Sequence, residues 1–263
     1  MTPIAPLPRP DRLGRVAAIL PARNEAEALG PVLAAMPDWI DWVIVADNGS
    51  RDATAETARA AGAVVVFEPF AGYGAACLAG IARAKELGAE VFLFLDADGS
   101  DKPEEAAFVL APIAAGAADL VIGSRTLGIA EKGALTLPQA LGNQLAALLM
   151  RAIWRKKVTD LGPYRAITRA AYDGLGMRDR DFGWTVEMQT RALRRGQRVV
   201  EVPVSRLNRR AGVSKVSGTI NGVLRAGTKI LYVIWREWRM EMAERRAAKA
   251  SARAQALSPH PAE

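Results

Sequence analysis

Residues 91–100 have the sequence VFLFLDADGS, in which five apolar residues are followed by two aspartates. The branched and aromatic residues predict a strand that is buried on both faces, as in the interior of a parallel sheet. Asp96 and Asp98 follow where the chain leaves the sheet, and ligands of open α/β sheets bind at the carboxyl ends of the strands. Two oxygen ligands there favour Mg²⁺ or Mn²⁺, which keep coordination positions open for phosphate groups. The alternative is that both aspartates only shape a turn and cap a helix.

The composition restricts the classes of protein to consider. The chain has 263 residues, half of them hydrophobic, which is enough for one substantial α/β domain. A single cysteine, Cys77, excludes an intramolecular disulfide framework, and with His260 as the only histidine it also excludes zinc sites and histidine-based triads. A metal must therefore be held by oxygen. The net charge of +7 indicates an anionic partner, which could be a nucleotide sugar, a phospholipid surface or a nucleic acid.

Short apolar segments alternate with helical patterns along the first half of the chain. This alternation predicts an α/β fold with a mainly parallel twisted sheet and helices on both faces. Residues 101–104 (DKPE) have the spacing of a capping box and predict the start of a helix after the strand at 91–95. No Gly-x-Gly-x-x-Gly follows the first strand, which excludes the dinucleotide-binding fingerprint. Polar residues that follow strands, and so share one edge of the sheet, are Arg23, Glu25, Asp47, Asp96, Asp98 and Arg125.

The C-terminal region contains a predicted amphipathic helix at residues 220–243. Its arginines, lysine and aromatic residues are typical of a helix that lies on an anionic membrane. The alternative is a helix packed on the domain or on the partner of a homodimer. No run of about 18 uncharged apolar residues occurs, so a membrane-spanning helix is not expected. Residues 1–14 are predicted to form a flexible tail without the apolar core of a signal peptide, and residues 244–263 a disordered tail.

Several motifs in order resemble the family-2 glycosyltransferases of GT-A fold. These motifs are LPARNEA, DNGSRDAT, DADGSDKPEE and DLVIGSR, followed by DLGPYRAI, FGWTVEMQ, EVPV and RRAGVSK. The resemblance is strongest to the polyprenol-phosphate sugar transferases, such as dolichyl-phosphate mannosyltransferase, and covers roughly residues 15–220. It implies a glycosyltransferase domain over residues 15–219.

The resemblance also implies which residues bind the nucleotide-sugar donor. Asp47 would contact the base or ribose, and Asp96 with Asp98 would handle the diphosphate through the metal, helped by Ser100. The glycines of Gly72-Tyr73-Gly74 allow the backbone to approach a ligand closely, which adds Gly74. The expected donor site comprises Pro21, Ala22, Arg23, Glu25, Asp47, Gly74, Asp96 and Ala97.

The acceptor site is expected in the second half of the chain. Residues 126–137 lack periodicity and are predicted to form a mobile lid. Arg165 would bind an acidic group or a phosphate. Alternatively, it would form an ion pair with Asp160. A hydroxyl acceptor would need a base, either Asp181 or Glu187, whereas a phosphate monoester is already largely a dianion at neutral pH. The expected acceptor residues are Arg165, Glu187 and Arg210, although Glu187 could face the core instead of the acceptor. Those expected to act in the reaction are Asp98, Arg125, Arg209 and Lys215.

Together these features predict an inverting enzyme that uses Mg²⁺ or Mn²⁺. It would move a hexose from a UDP- or GDP-sugar to a polyprenyl phosphate acceptor. The first alternative keeps the fold but uses a soluble or hydroxyl acceptor. A nucleic-acid-binding module would explain the charge but not the carboxylates, so no nucleic acid is expected as a partner. We expect a cytoplasmic protein, peripheral on the inner face of the membrane if the acceptor is a lipid.

Overall fold

The structure, a computed structural model, describes residues 7–210 and 220–257, with the side chains of the last helix described for residues 225–251. The strands are β1 Val16–Ala22, β2 Trp42–Asp47, β3 Val64–Phe67, β4 Val91–Phe94, β5 Leu120–Ser124, β6 Arg165–Thr168 and β7 Val199–Pro203. The helices are α1 Ala26–Ala34, α2 Thr54–Ala60, α3 Tyr73–Glu86, α4 Ala106–Ala114, α5 Leu137–Trp154, α6 Arg169–Leu175, α7 Trp184–Arg194 and α8 Ile220–Leu257.

The strands form one seven-stranded sheet with the order β3-β2-β1-β4-β6-β5-β7. Every pairing is parallel except those of β6, which runs antiparallel to both β4 and β5. The prediction of a mainly parallel sheet is therefore confirmed. Because β6 is reversed, its first residue, Arg165, lies opposite Phe94 at the last residue of β4. The segment before β6 consequently reaches the edge at which the parallel strands end.

Helices cover both faces of the sheet, as the alternating pattern predicts. In β1, Val16, Ala18 and Leu20 belong to one core cluster, which includes side chains of α1, α2 and α4. Ala17 and Ile19 belong to a second cluster with side chains of α3, α6 and α7. Successive residues of a strand point to opposite faces, so a continuous apolar run supplies both layers.

The last helix, α8, packs against α5 and α7 around a third apolar cluster that contains Val186, Val233 and Ile234. A buried ionic network accompanies this packing. The Glu237 carboxylate lies 3.1 Å from Arg191, 3.0 Å from Arg194 and 2.9 Å from Arg236. Glu237 is fully buried, so these guanidinium groups replace the water that a carboxylate would otherwise need.

The helix is longer than the sequence predicts. It continues to Leu257, so the expectation of a disordered tail from residue 244 is wrong for residues 244–257. The physical reason is that this segment consists mostly of alanine, arginine, glutamate and lysine, which have high helix propensity. The 38 residues of α8 extend about 57 Å at 1.5 Å per residue. Among the residues that were described, no helix is both long enough and apolar enough to cross a bilayer.

We predict that Glu237→Gln destabilises the fold. It keeps the shape of the side chain but leaves three arginines without their shared buried charge, which should lower the free energy of unfolding by about 3–5 kcal/mol. Urea denaturation followed by circular dichroism measures this. The matched control is Glu244→Gln on the same helix, whose exposed carboxylate lies 3.4 Å from Arg194 and should contribute less than about 1 kcal/mol. Equal stability losses in the two variants would contradict a structural role for the buried network.

Candidate active site

Three aspartates are crowded together just after β4. Asp96 and Asp98 occupy the positions expected from the sequence, and the Asp101 carboxylate accepts a hydrogen bond from the Asp96 backbone N–H at 2.9 Å. Burial, followed by the charges of Asp101 and Asp98, raises the pKa of Asp96 to about 7. Burial likewise raises the pKa of Asp101. The cluster therefore concentrates negative charge where it favours a cation.

The capping box expected at residues 101–104 does not form, because Asp101 has a different role. Its carboxylate is turned towards Asp96, and the short helical turn at Pro103–Glu105 that precedes α4 has no side-chain cap. The carboxylate is buried and already accepts from a backbone N–H and from an arginine, so it belongs to the acidic cluster.

Two arginines from the segment after β7 neutralise this cluster. Arg206 lies 2.9 Å from Asp101 and 3.5 Å from Asp96. Arg209 lies 2.7 Å from Asp98 and 2.7 Å from Glu25. Burial by itself would lower the pKa of Arg206, but the neighbouring aspartates raise it above its usual value. Arg209 thus bridges Asp98 and Glu25, two residues predicted for the donor side.

Backbone hydrogen bonds hold the same segment in place. The N–H of Leu207 donates to the carbonyl of Ser100 at 2.9 Å, and the N–H of Arg210 donates to the carbonyl of Asp98 at 3.1 Å. Arg210 therefore lies beside the acidic cluster, where it was expected to contact the acceptor. Lys215 lies outside the described residues.

Asp96 and Asp98 offer the oxygen ligands that a hard divalent cation prefers. Ser100 does not add a third ligand here, because its N–H and its hydroxyl both donate to the Asp98 carboxylate and orient it. Among residues 7–210 and 225–251, no group of three or more acidic, histidine or cysteine side chains forms a metal cage. Two carboxylates fit a cation that completes its coordination with substrate phosphates and water, as Mg²⁺ commonly does.

The loops after β1 and β2 bring the predicted donor residues to one edge. In the sheet register Pro21 lies opposite Ala46 and Ala22 opposite Asp47. The Asp47 carboxylate accepts the Ser50 N–H at 3.0 Å, and Arg23 is exposed to solvent. The structure brings together Pro21, Ala22, Arg23, Glu25, Asp47, Asp96, Ala97 and Asp98 along the edge where β1, β2 and β4 end.

Gly74 has a different role from the one expected. A side chain at Gly74 would overlap the carbonyl oxygen of Asp179, and one at Gly72 would overlap the carbonyl oxygen of Arg180. These glycines permit close approach of another backbone segment, where the sequence analysis proposed a ligand. The N–H of Ala75 donates to the Arg180 carbonyl at 2.8 Å and closes this contact.

Arg125 pairs with Asp160. Its Nε and Nη2 lie 2.8 and 2.6 Å from the two carboxylate oxygens. Although burial opposes ionisation of Asp160, these hydrogen bonds lower its pKa below the usual value. Asp160 also accepts the backbone N–H groups of Arg125 and Leu161, each at 2.7 Å. The bidentate pair fixes the beginning of the loop predicted to be a lid.

Both alternatives considered for Arg165 are wrong. Its guanidinium is fully buried and donates to the backbone carbonyls of Leu161, Gly162 and Thr185. Burial lowers its pKa to about 10. Arg165 therefore joins the segment before β6 to the start of α7. Asp160 pairs with Arg125 instead.

Glu187 does not lie where it could contact an acceptor. It is fully buried, and it accepts the N–H groups of Arg178 and Asp179 at 2.9 and 2.8 Å. It also lies 2.9 Å from Arg191 and 2.7 Å from Arg236. Of the two positions considered for Glu187, it occupies the one in the core, where its carboxylate shapes the loop before α7 and joins that loop to α8.

Arg206 and Asn48 were missed by the sequence analysis. Arg206 follows β7 as the other polar site residues follow their strands, and this pattern could have predicted it as a site residue.

The Asn48 side chain donates to the carbonyls of Glu68 and Phe70 and accepts the N–H of Gly72 at 2.8 Å. It thereby joins the loop after β2 to the loop after β3. Nothing in the spacing DNGS indicates so distant a partner.

Comparisons with known proteins agree with this fold. The model of the family described as glycosyl transferase family 2 matches residues 17–176. An uncharacterised glycosyltransferase of Mycobacterium tuberculosis is 38% identical over 209 residues, 79% of this chain and 92% of that protein. An undecaprenyl-phosphate mannosyltransferase of Micrococcus luteus is 33% identical over 220 residues, 79% of this chain and 90% of that protein.

A solved structure of similar fold is glucosyl-3-phosphoglycerate synthase from Mycobacterium tuberculosis, in complex with Mn²⁺, UDP and phosphoglyceric acid. The TM-score is 0.69 at 19% identity, covering 86% of this chain and 78% of that one. The fold is the GT-A fold, and the chain belongs to glycosyl transferase family 2. It is therefore a glycosyltransferase, as its motifs indicate.

We predict that Gly74→Ala disturbs the loop at residues 179–182. The new methyl group must push the Asp179 carbonyl away, which should cost about 1–3 kcal/mol of stability and reduce turnover. Denaturant melts and steady-state kinetics measure the two effects. The control, Gly142→Ala in α5, meets nothing within 4 Å and should be neutral or up to about 1 kcal/mol stabilising. If both variants behave like the unmodified protein, the close contact at Gly74 is not structural.

Proposed function

We propose that this glycosyltransferase transfers a hexose from a UDP- or GDP-sugar to a polyprenyl phosphate at a membrane surface, with inversion at the anomeric carbon. The observation that carries the proposal is a row of exposed leucines on α5, the helix whose Asn143 is hydrogen-bonded to the segment that carries Asp160. Leu137, Leu141, Leu145 and Leu148 are 72%, 56%, 48% and 55% exposed, and their spacing places them on one helix face. Below we call these four residues the leucine stripe.

The leucine stripe belongs to a helix that is anchored in the site. On the same helix the Asn143 side chain accepts the Leu161 N–H at 3.0 Å, beside the Asp160–Arg125 pair. The opposite face of α5 is buried through Ala146, Ala147 and Met150. A row of leucines that water must hydrate is unusual in a globular protein and marks an apolar partner.

Helix α8 also exposes aromatic residues. It packs against α5, where the Trp154 indole donates to Glu241 at 2.7 Å. Tyr232, Trp235 and Trp238 on α8 are partly exposed. Interfacial aromatics beside an apolar face suit the boundary of a bilayer, and the exposed cations Arg151, Arg155, Lys156 and Lys157 at the end of α5 suit anionic headgroups. The mannosyltransferase of Micrococcus luteus is named for a lipid phosphate acceptor, which supports the same choice.

A phosphate acceptor also simplifies the chemistry. One of its oxygens attacks the anomeric carbon from the side opposite the diphosphate, so the sugar configuration inverts. Little general-base assistance is needed, because a phosphate monoester is largely a dianion at neutral pH. The difficult step is departure of the nucleoside diphosphate, whose developing charge needs stabilisation.

Several residues are placed to supply that stabilisation. Arg206 and Arg209 already lie against the acidic cluster and can donate to diphosphate oxygens in the charge-assisted manner that arginine favours. Arg125 is held rigidly by Asp160 at the same edge. A divalent cation, Mg²⁺ or Mn²⁺, would be held by Asp96 and Asp98 and would add charge neutralisation at the diphosphate.

A second candidate function keeps the donor but uses a water-soluble acceptor. It is favoured by the structural neighbour that contains phosphoglyceric acid, a small phosphorylated hydroxy acid. Such a hydroxyl acceptor would need a carboxylate base, for which Asp181 is placed in the loop before α7. The two candidates differ in whether the leucine stripe affects transfer.

We predict that Asp96→Asn and Asp98→Asn each lower turnover by at least about 100-fold, because both remove negative charge from the group that handles the diphosphate. Transfer of labelled sugar from UDP- and GDP-sugars, with Mg²⁺ or Mn²⁺, provides the measurement. The control is Asp173→Asn, which removes an exposed ion pair with Lys85 and should leave turnover unchanged. Near-normal turnover in the double mutant Asp96→Asn/Asp98→Asn would overturn the proposed site.

We predict that the double substitution Leu141→Gln/Leu145→Gln suppresses transfer to polyprenyl phosphate in vesicles by about tenfold or more. Both residues lose apolar contact with the membrane, and glutamine retains helix propensity. Hydrolysis of the donor by water should be unaffected, since it needs no lipid. Phe108→Gln, at an exposed apolar position on α4, is the control. Preference for a water-soluble hydroxyl acceptor, or unchanged lipid transfer in the double variant, would favour the second candidate.

A further inference from the structure

A cavity of about 330 Å³ lies between the loop before α7 and the first half of α8. It is separate from the acidic cluster, and none of the residues assigned to the donor site lines it. Its lining residues are Asp181, Phe182, Arg225, Thr228, Lys229 and Tyr232. The four that belong to α8 have the spacing of one helix face, so the helix presents them together.

Ionic contacts on both sides build the wall of this cavity. Lys229 of α8 lies 2.9 Å from the buried carboxylate of Asp179. Asp179 in turn accepts the N–H of Asp181 at 2.9 Å, and Glu187 accepts the N–H of Asp179. The position of Asp181 relative to α8 is therefore determined by buried charges, which makes the cavity a formed feature.

The charges that line the cavity have opposite signs and do not pair with each other. Lys229 is neutralised by Asp179. In the described part of the chain, no ion pair involves the guanidinium of Arg225 or the carboxylate of Asp181. Arg225 and Lys229 are also four residues apart on one helix, an arrangement that is mildly unfavourable for two cations unless an anion lies nearby. The cavity thus offers one cation and one anion to a ligand.

This arrangement disfavours a simple phosphate monoester. A dianion would meet an overall neutral set of charges in which Asp181 repels it. A zwitterion with one phosphate charge and one ammonium charge matches the set. The rings of Phe182 and Tyr232 in the same lining can additionally attract an ammonium group through their faces.

The neighbouring surface of α8 suggests where such a zwitterion would come from. Tyr232 lines the cavity and is half exposed, and its ring lies 6.0 Å from that of Trp235, which is also exposed. Partly exposed tyrosine and tryptophan are typical of the headgroup region of a membrane. The cavity therefore lies beside side chains suited to the depth of phospholipid headgroups.

We propose that this cavity binds the phosphoethanolamine headgroup of a membrane phospholipid, with its phosphodiester at Arg225 and its ammonium group at Asp181 and the aromatic rings. The cavity is separate from the acidic cluster, and headgroup binding to it can be measured whichever acceptor the enzyme uses. Its loop wall contacts the start of α3, because the Arg180 carbonyl accepts the Ala75 N–H beside Gly72 and Gly74. A bound headgroup would hold α8 and this loop together at the membrane.

Binding of water-soluble headgroups to the full chain tests the proposal without reference to turnover. The probes are glycerophosphoethanolamine, which carries both charges, and glycerophosphoglycerol, which has the phosphodiester but no ammonium group. Isothermal titration should show tighter binding of the zwitterion. Asp181→Asn should weaken zwitterion binding by about tenfold or more and remove the preference, and Arg225→Gln should weaken both probes. Arg245→Gln, near the far end of α8, is the control and should change neither.

Vesicles extend the test to lipids. Adding phosphatidylethanolamine to phosphatidylcholine vesicles should increase binding of the unmodified chain but not of Asp181→Asn, whereas adding phosphatidylglycerol should increase binding of Asp181→Asn at least as much as that of the unmodified chain. Removing the Asp181 charge can only favour a phosphodiester, so glycerophosphoglycerol should bind Asp181→Asn at least as tightly as the unmodified chain. If Asp181→Asn binds glycerophosphoethanolamine more tightly than the unmodified chain, the cavity takes a plain phosphate and the proposal is wrong. Absence of binding of both probes and of any phosphatidylethanolamine effect would likewise overturn it. None of these outcomes bears on Asp96, Asp98 or sugar transfer, so the proposed function stands or falls separately.

Discussion

The mutual repulsion of Asp96, Asp98 and Asp101 is the constraint on which the rest of this structure depends. Buried carboxylates are tolerated only when cations or hydrogen-bond donors replace their lost hydration. The chain supplies those cations from more than 100 residues away, through Arg206 and Arg209. The segment after β7, at the edge of the sheet, must therefore return across its carboxyl end to reach the acidic cluster.

That returning segment also holds the loop predicted to be a lid. The Arg206 N–H donates to the Ile129 carbonyl, and the Glu131 N–H donates to the Arg206 carbonyl, each at 2.8 Å. The Glu131 carboxylate then accepts the Asn208 N–H at 2.8 Å. The residues that neutralise the acidic cluster and the residues that hold the loop over the site are thus on one short strip of backbone.

A second buried ionic network performs a comparable task behind the site. Glu187 and Glu237, with arginines of α7 and α8, attach the last helix to the domain. Glu187 also accepts the backbone N–H groups of the loop that contacts Gly72 and Gly74. Two faces of helix α8 therefore have different roles. One holds the loop beside the active site, and the other exposes aromatic residues that suit a membrane surface.

The sequence by itself determined the strands, their alternation with helices, the family, and the edge at which Asp47, Asp96 and Asp98 meet. Apolar periodicity reports burial locally, and parallel strands deliver their last residues to a common edge. Only the tertiary structure decided that β6 is antiparallel, that Arg125 takes Asp160, and that Arg165 and Glu187 are structural. It also showed that Asp101 belongs to the acidic cluster and that Gly74 contacts another backbone segment. The reason is that a side chain's charge and size are local properties, whereas the partner that satisfies a buried charge depends on which distant segments the fold brings within hydrogen-bond distance.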